Sequence, residues 1–234
     1  MILIACGLQR EAAILARDGV IAIPGGGVSK ALETGLEGAL ELFPGTRLIL
    51  SCGIAGALDP TLRAGDLIFH LPPFVSSEVE KQAPNDVIGV STSLETIGWE
   101  GWVERLKSAL PRAYLGAIIG QDHIAATVAE KAALHATTGA IAVDMESHVA
   151  ARVAARHGLP FAAIRTISDT AGESLPPAAL VGMNPDGSMA LGRVLASLAR
   201  HPAQLPALIR TGRSAEVAFK ALVAVGDAIA LLQG

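Results

Sequence analysis

The sequence predicts an α/β fold in a single domain. Segments with the apolar pattern of buried strands alternate with segments of helical periodicity along all 234 residues, and no Ser- or Pro-rich linker interrupts them. Hydrophobic residues make up 51% of the chain and charged residues 17%, which allows a large core. Aromatic residues contribute only 3%, so Ala, Leu, Ile and Val supply the apolar area, as in buried parallel strands. We expect one domain over residues 1–234, with a mostly helical C-terminal part over 176–234.

The first half of the chain predicts four strands and two helices. Glycine-rich segments follow two of the strands, at residues 25–27 and 53–56, and we interpret them as turns whose backbone N–H groups approach an anion or a flat ring. The predicted strands cover residues 2–6, 20–23, 48–51 and 67–70, and the helices are a short one containing Glu11 and a longer one over 29–43.

The second half continues the alternation. Loop and strand fragments are expected over residues 72–92, a helix over 93–110, a strand over 114–119, a third glycine turn at 120–122 and a helix over 125–138. Two further strands follow, and after Pro176 and Pro177 the pattern is mostly helical to the end of the chain.

Charge and cysteine content narrow the functional classes. The formal net charge is −4, from 18 basic and 22 acidic residues, without a basic stripe, which argues against nucleic acid as a partner. Cys6 and Cys52 lie in apolar strands without metal-ligand spacing, so we expect buried thiols, no metal and a reducing, cytoplasmic compartment. Neither a secretory leader nor an apolar run of membrane-spanning length is visible. The glycine turns match neither the dinucleotide nor the P-loop motif, so no cofactor is expected.

Two segments that carry carboxylates, residues 143–148 and 165–171, hold the strongest functional signal. Each closes a short apolar run, and a helical stretch lies between them, so Glu146 and Asp169, 23 residues apart, should reach the same edge of a sheet. A carboxylate there can accept the hydroxyl protons of a ribose diol, and a half-buried carboxyl group can donate a proton to a leaving group. Arg165 could orient either carboxyl group.

These segments resemble the signature of the purine nucleoside phosphorylase and methylthioadenosine/S-adenosylhomocysteine nucleosidase superfamily. Residues 51–58 with 63–66 are similar to its second motif and residues 7–11 to its first, so that the resemblance covers about residues 1–172 in the right order. Residues 144–151, together with the Pro-rich segment at 175–187, resemble the hopanoid-associated phosphorylase branch. That branch is thought to remove adenine from adenosylhopane.

The resemblance implies a three-layer α/β/α fold with a central twisted mixed β-sheet and an adenine-nucleoside site. It assigns Glu146 to the ribose hydroxyls, with Met145 against the sugar. It assigns Asp169 to protonation of the purine N7, with Ser168 and Arg165 supporting Asp169.

Further positions follow from the same resemblance. Glu11 matches the glutamate that activates water in the hydrolases. His123 and Ile124 match the segment that meets the base, although the hydrolases carry Phe where His123 stands. Gly53, in the second motif, is expected among the substrate-binding residues.

The nucleophile is left open between phosphate and water. Gly26, Gly27, Ser29 and Ser51 are the expected phosphate cradle, with inorganic phosphate as a co-substrate. Hexameric phosphorylases place an arginine at the position held here by Leu48, which removes a cation from that cradle. We expect phosphorolysis of a 5′-substituted adenosine such as adenosylhopane, with hydrolysis of methylthioadenosine or S-adenosylhomocysteine as the alternative.

Two further expectations concern the partners of this chain. The resemblance implies a homo-oligomer, a dimer or larger, and a lipid product would imply contact with a membrane surface. A non-catalytic nucleoside-binding protein is a rival interpretation, because a fold does not fix a function. Retention of Glu11, Glu146 and Asp169 argues against it.

Overall fold

The computed structural model describes residues 1–71 and 99–231. Strands and helices alternate along these residues, as the sequence predicts. The elements are β1 (Ile2–Cys6), α1 (Gln9–Leu15), β2 (Val20–Pro24), α2 (Ser29–Leu42), β3 (Leu48–Ala57), β4 (Leu67–His70), α3 (Trp99–Ala109), β5 (Tyr114–Leu115), β6 (Ile118–Gly120), α4 (Val128–Thr138), β7 (Ala142–Asp144), α5 (Ser147–Arg156), β8 (Phe161–Asp169), α6 (Pro177–Leu180), α7 (Leu191–Arg200) and α8 (Leu205–Ala230), with a 3₁₀ turn at Pro202–Gln204.

The strands in the described residues form one mixed sheet. Its order is β2-β1-β3-β8-β4-β5, and β7 pairs with the second half of β3 and carries β6 on its other side. The central strands β2, β1, β3 and β8 run parallel, whereas β4 is antiparallel to β8 and β7 is antiparallel to β3. The mixed sheet implied by the resemblance is therefore confirmed.

Helices cover both faces of this sheet. Side chains alternate along β1, so Ile2 and Ile4 point to one face and Leu3 and Ala5 to the other. The first face packs on α1, α3 and the second half of α8, and the second face packs on α2 and α5. This is the expected three-layer α/β/α arrangement, and it leaves β3 fully inside the molecule.

An interruption beside β3 creates room for a site. β8 pairs with one side of β3 along residues 49–56. On the other side, β1 pairs with residues 48–51 and β7 with residues 56 and 57. Residues 52–55 therefore lie between the ends of β1 and β7, without a ladder partner on that side. Buried backbone N–H groups need acceptors, so side chains must complete the hydrogen bonding there.

The expected placement of both carboxylates at one sheet edge is wrong in its geometry. Because β7 is antiparallel to β3 and β8 is parallel to it, these two strands run in opposite directions on the two sides of β3. β7 ends at Asp144 beside the gap and leads to Glu146, whereas β8 ends with Asp169 paired to Gly56. Both carboxylates still flank the second half of β3, inside the sheet.

Two local predictions also differ from the structure. Residues 53–56 belong to β3 and form no turn, because their pairing with β8 continues to Gly56. The strand expected over 114–119 is divided into β5 and β6, which pair with β4 and β7 respectively. At Gly116, between them, a Cβ atom would lie 2.2 Å from Ile141, so the backbone passes very close to that side chain.

The third glycine turn, expected at 120–122, is wrong at Gly120, which belongs to β6 and pairs with Asp144. The other elements that the sequence predicts are present where the structure describes them. The turn at residues 25–27 is present, with positive φ at Gly26 and Gly27, and the chain after residue 176 is mostly helical as far as residue 231. The loop expected over 72–92 and the start of the helix expected at residue 93 lie outside the described residues. Among the helices that the structure describes, none is long and apolar enough to span a membrane.

Candidate active site

Glu11 fills the gap beside β3. Its Oε1 accepts the N–H of Ile54 at 2.7 Å, and its Oε2 accepts those of Gly7 and Leu8 at 2.7 and 2.8 Å. The side chain is buried, and this burial raises its pKa, while Arg165 and the three N–H groups act in the opposite direction. Glu11 is thus held in one position between the end of β1 and the middle of β3.

Arg165, on β8, is a buried cation at the centre of the site. Its Nε lies 2.7 Å from Asp144 Oδ2, and its Nη2 lies 3.2 Å from Glu146 Oε2 and donates to Ser51 Oγ at 2.5 Å. Its Nη1 is buried and has no hydrogen-bond acceptor within residues 1–71 and 99–231. Arg165 therefore contacts Glu146 and Asp144, and the structure gives it no contact with Asp169.

Asp144 organises the start of α5. Its Oδ1 accepts the N–H groups of Glu146 and Ser147 at 3.1 and 2.9 Å, and Oδ2 accepts the Ser147 hydroxyl. A carboxylate that binds the free N–H groups of a helix start is a typical N-terminal cap. Through this contact and its ion pair with Arg165, Asp144 fixes the backbone that carries Glu146.

Glu11, Asp144, Glu146 and Arg165, here called the carboxylate cluster, contain three carboxyl groups and one guanidinium group. The pKa of Glu146 rises from 4.5 to about 8, first because of burial and then because of the neighbouring carboxylates, with Arg165 opposing the shift. One cation cannot neutralise three buried carboxylates, so a proton remains in the cluster near neutral pH. The cluster can therefore accept or release a proton under physiological conditions.

Asp169 has a different environment. It is 6% exposed, at the end of β8, and its Oδ2 accepts a hydrogen bond from the fully buried Lys131 on α4. Its Oδ1 lies 2.7 Å from the Ser168 hydroxyl, which also lies 3.1 Å from the carbonyl oxygen of Ala55. We call Lys131 and Asp169 the lysine–aspartate pair.

Two glycines of β3 separate the cluster from the pair. A Cβ atom at Gly53 would lie 2.6 Å from both Glu11 Oε1 and Arg165 Nη1, and one at Gly56 would lie 3.2 Å from Asp169 Oδ2. Three residues of extended chain span roughly 10 Å. The two charged groups thus lie about that far apart along β3, and Gly53 provides space for Glu11 and Arg165.

Met145 lies between the cluster and the glycine turn after β2. A Cβ atom at Gly27 would lie 3.4 Å from Met145 Cε and 2.6 Å from Met183 Cε. The carbonyl oxygen of Gly187 accepts the N–H of Gln9 at 3.0 Å. The segment before α7 therefore covers the start of α1 and this side of the site.

His123 and Ile124, expected at the base, lie in the exposed loop between β6 and α4. The His123 carbonyl accepts a hydrogen bond from Gln121 Nε2 at 2.8 Å. The described contacts do not bring either residue to the carboxylate cluster.

The expected phosphate cradle is not assembled as one site. The N–H of Gly26 donates to the Gly7 carbonyl at 2.9 Å, and the Ser29 hydroxyl donates to Asp122. Ser51 is fully buried, and its hydroxyl contacts Arg165 Nη2 as well as Ser147 Oγ at 3.1 Å. Because Ser29 faces a carboxylate and Ser51 lies inside the cluster, these groups do not form a common anion-binding surface.

The two cysteines lie in the hydrophobic core on one face of the sheet. Cys6 and Cys52 are free and buried, as expected, and burial raises the pKa of both. Within residues 1–71 and 99–231, no three His, Cys, Asp or Glu side chains are arranged to hold a metal ion.

Lys131 is a site residue that the sequence analysis did not predict. The helix that carries it was expected from apolar periodicity alone, yet Lys131 occupies its buried face. A lysine that replaces an apolar residue on the inner stripe of a helix was the available signal. Its partner, 38 residues further along the chain, has no local sequence signal.

The chain is similar to known proteins in sequence and in fold. The family model described as "Phosphorylase superfamily" matches residues 5–200. The 5′-methylthioadenosine/S-adenosylhomocysteine nucleosidases of Mycobacterium bovis and Mycobacterium tuberculosis are each 27% identical over 176 residues, which cover 60% of this chain and 66% of the relative. The chain thus matches just under two thirds of the length of these relatives.

Solved structures show the same fold. The 5′-methylthioadenosine/S-adenosylhomocysteine nucleosidase of Campylobacter jejuni aligns with a TM-score of 0.56 at 18% identity, covering 94% of this chain and 97% of that one. The futalosine hydrolase of Helicobacter pylori aligns with a TM-score of 0.55 at 20% identity, covering 97% of both chains.

Proposed function

This chain belongs to the phosphorylase superfamily, and from that premise we propose that it cleaves the N-glycosidic bond of an adenine nucleoside and releases adenine. The observation that carries the proposal is that the buried carboxylate cluster and the buried Asp169 lie beside the same strand, at Gly53 and at Gly56 of β3. A nucleoside laid along β3 would place its ribose at the carboxylate cluster and its purine at Asp169. The cluster and the pair then act on opposite sides of the bond that breaks.

Glu146 is the proposed acceptor for the ribose hydroxyl groups. Its ion pair with Arg165 favours the ionised form, which accepts hydrogen bonds, although burial opposes that form. As the C1′–N9 bond lengthens, the ribosyl group gains positive charge, and the surrounding carboxylates stabilise it. Met145 is expected against the sugar.

Water is the proposed nucleophile, with Glu11 as the general base. Three N–H groups occupy three of about four accepting positions of the Glu11 carboxylate, which leaves room for one water at Oε1. Water oxygen bonds to C1′, Glu11 takes the water proton, and the C1′–N9 electron pair leaves with the purine. Asp169 supplies a proton to N7, so the products are adenine and the free sugar.

Phosphate is disfavoured by the charge of the site. A dianion beside β3 would meet Glu11, Asp144 and Glu146, and these carboxylates would repel it. One observation supports phosphorolysis as a second candidate, because Nη1 of Arg165 is buried without a described acceptor and could bind one phosphate oxygen. Hydrolysis therefore replaces phosphorolysis as the favoured reaction, on electrostatic grounds.

The test is adenine release in phosphate-free buffer from adenosine, 5′-methylthioadenosine and S-adenosylhomocysteine. We expect turnover of at least one, and the Glu11→Gln variant should lose roughly 10²- to 10⁴-fold in kcat, the usual contribution of a general base. The matched control is Glu41→Gln, an exposed glutamate of α2. Lack of release from every adenosine, with phosphate or without it, would favour the non-catalytic binding protein.

A lipid-sized 5′ substituent, as in adenosylhopane, is the second candidate substrate. Residues 187–215 contain four arginines and no acidic residue, and α7 with the start of α8 exposes Leu191, Leu195, Leu205 and Ile209. Basic surfaces with exposed apolar side chains are typical of contact with anionic membranes. Co-sedimentation with phosphatidylglycerol vesicles tests this contact, and the Leu191→Ser/Leu195→Ser double variant should weaken it.

Self-association stays an expectation of the family resemblance. Light scattering of the purified chain measures it directly, and a mass of two or more chains is the expected result.

A further inference from the structure

Lys131 is a buried lysine that the proposed reaction does not use. Its side chain is fully inaccessible, and its Nζ donates to Asp169 Oδ2 and to the carbonyl oxygens of Thr170 and Glu173, both at 2.8 Å. These three acceptors satisfy all three protons of an ammonium group. A buried charge is costly unless it is paired in this way, so the arrangement keeps Lys131 charged.

We propose that Lys131 is a positioning residue for Asp169, whose carboxyl group it holds in place at the end of β8 through Oδ2. The inference rests on the proposed function, in which Asp169 protonates the purine. With Oδ2 bound to Lys131, the other oxygen, Oδ1, is the one free to exchange a proton with the substrate.

The contacts of Ser168 define two states of Asp169. A hydroxyl has one proton to donate. When Asp169 is ionised, Ser168 donates to Oδ1, and when Oδ1 carries the proton, it donates to Ser168, whose own proton is then directed to the Ala55 carbonyl.

Other charges near Asp169 are directed elsewhere. Glu173, in the turn after β8, accepts the N–H of Thr170 at 3.1 Å and lies 3.4 Å from Nε of Arg210 on α8. Arg165, on the same strand, is engaged by the carboxylate cluster. On the β3 side, Asp169 meets Gly56, which has no charge. Among the described contacts, the charge that acts on Asp169 thus comes from α4.

The effect on the reaction follows from this pairing. When the C1′–N9 bond breaks, its electron pair stays on the purine, a proton moves from Oδ1 to N7, and Asp169 becomes a carboxylate. Lys131 stabilises that carboxylate, which makes the transfer easier.

The test compares Lys131→Met, Lys131→Gln and Lys131→Arg with the wild-type protein on the 5′-substituted adenosine that wild type turns over fastest. For each variant, kcat and kcat/KM are measured across pH 5–10, together with the thermal midpoint. We expect Lys131→Met and Lys131→Gln to lower kcat by roughly 10-fold, because the carboxyl group of Asp169 loses the contact that holds it in position. Lys131→Arg, which can still donate to Asp169, should retain more of the wild-type kcat, and KM should change less than kcat in all three variants.

Lys131→Gln is included as a second neutral variant in case Lys131→Met prevents folding. Its amide can still donate to the carbonyl groups of the 170–173 turn. The matched control is Lys220→Met, an exposed lysine of α8, which should leave the profile unchanged. Neutral variants with a lowered thermal midpoint but wild-type kcat and KM would give Lys131 a structural role alone and overturn the inference. Wild-type protein that cleaves no adenosine would instead contradict the proposed function itself.

Discussion

The carboxylate cluster and the lysine–aspartate pair are both buried beside β3, yet their charge balance differs. The cluster holds three carboxyl groups against one guanidinium group, whereas the pair holds one carboxyl group against one ammonium group. The surplus of buried carboxylates contributes to the raised pKa of Glu146, whereas the carboxyl group of the pair faces one cation of its own. Carboxyl groups within one site therefore have different chemical properties, and the ratio of carboxyl groups to cations around each of them accounts for the difference.

Removal of the cation from the cluster should have the largest effect on stability. Arg165→Met leaves three buried carboxyl groups without a positive partner, and loss of one member of a buried ion pair costs about 3–5 kcal/mol. Urea denaturation measures this cost. The exposed Arg63 provides the control, since Arg63→Met should change the unfolding free energy by less than about 0.5 kcal/mol. A cost below about 1 kcal/mol for Arg165→Met would contradict the description of the cluster.

Removal of the acid from the pair should act on rate more than on stability. Asp169→Asn keeps the size of the side chain but cannot protonate N7, so kcat should fall roughly 10²- to 10⁴-fold. Steady-state adenine release measures kcat and KM separately. The exposed Asp18→Asn is the matched control. A variant that keeps wild-type kcat would show that Asp169 donates no proton in the rate-limiting step.

Alanine substitutions at the two glycines of β3 compare the space around the carboxylate cluster with the space around the lysine–aspartate pair. Gly53→Ala places a methyl group 2.6 Å from Glu11 and Arg165, which are both fixed, so we expect a loss of about 1–3 kcal/mol and strong loss of activity. Gly56→Ala meets Asp169 at 3.2 Å and should cost less than half as much. Thermal unfolding of both variants measures the contrast, and the reverse order would contradict the assignment of the tighter space to the cluster.

The pH dependence of stability isolates the contribution of the cluster. The pKa of Glu146 is raised in the folded protein to about 8, so the folded state binds a proton that the unfolded chain releases above its ordinary value of 4.5. Stability from this group is complete below that value and falls as pH rises toward 8. We expect a loss of about 3–4 kcal/mol between pH 5 and 8 in denaturation experiments, since one pKa unit corresponds to about 1.4 kcal/mol.

A glutamine variant isolates that contribution. Glu146→Gln should remove much of the slope between pH 5 and 8, whereas Glu41→Gln on the surface should retain it. An unchanged slope in Glu146→Gln would mean that another group holds the proton.

Periodicity and motif spacing predicted most of the fold. Buried strands such as β1 and β8 carry continuous apolar runs, and their length and glycine or proline borders define them in the sequence. The direction and pairing of the strands were harder to predict. The antiparallel placement of β7 depends on contacts with Gly56 and Ala57, more than 80 positions earlier in the chain, which no local pattern contains.

The sequence identified those site residues that belong to a recognisable sequence motif. Glu11, Glu146 and Asp169 were identified from the sequence, and all three lie at the site beside β3. Long-range partners were not predictable. Ser51 was expected at phosphate but lies inside the cluster, and Lys131 was unseen because its role exists only through contact with a distant strand.

The central claim is that the surplus of carboxylates beside β3 selects water over phosphate. Its most direct measurement is the product of 5′-methylthioadenosine cleavage at saturating phosphate, followed by phosphorus-31 NMR together with the rate of adenine release. We predict adenine and free 5-methylthioribose, with a rate that phosphate does not increase. Formation of a sugar 1-phosphate in step with adenine would contradict this account.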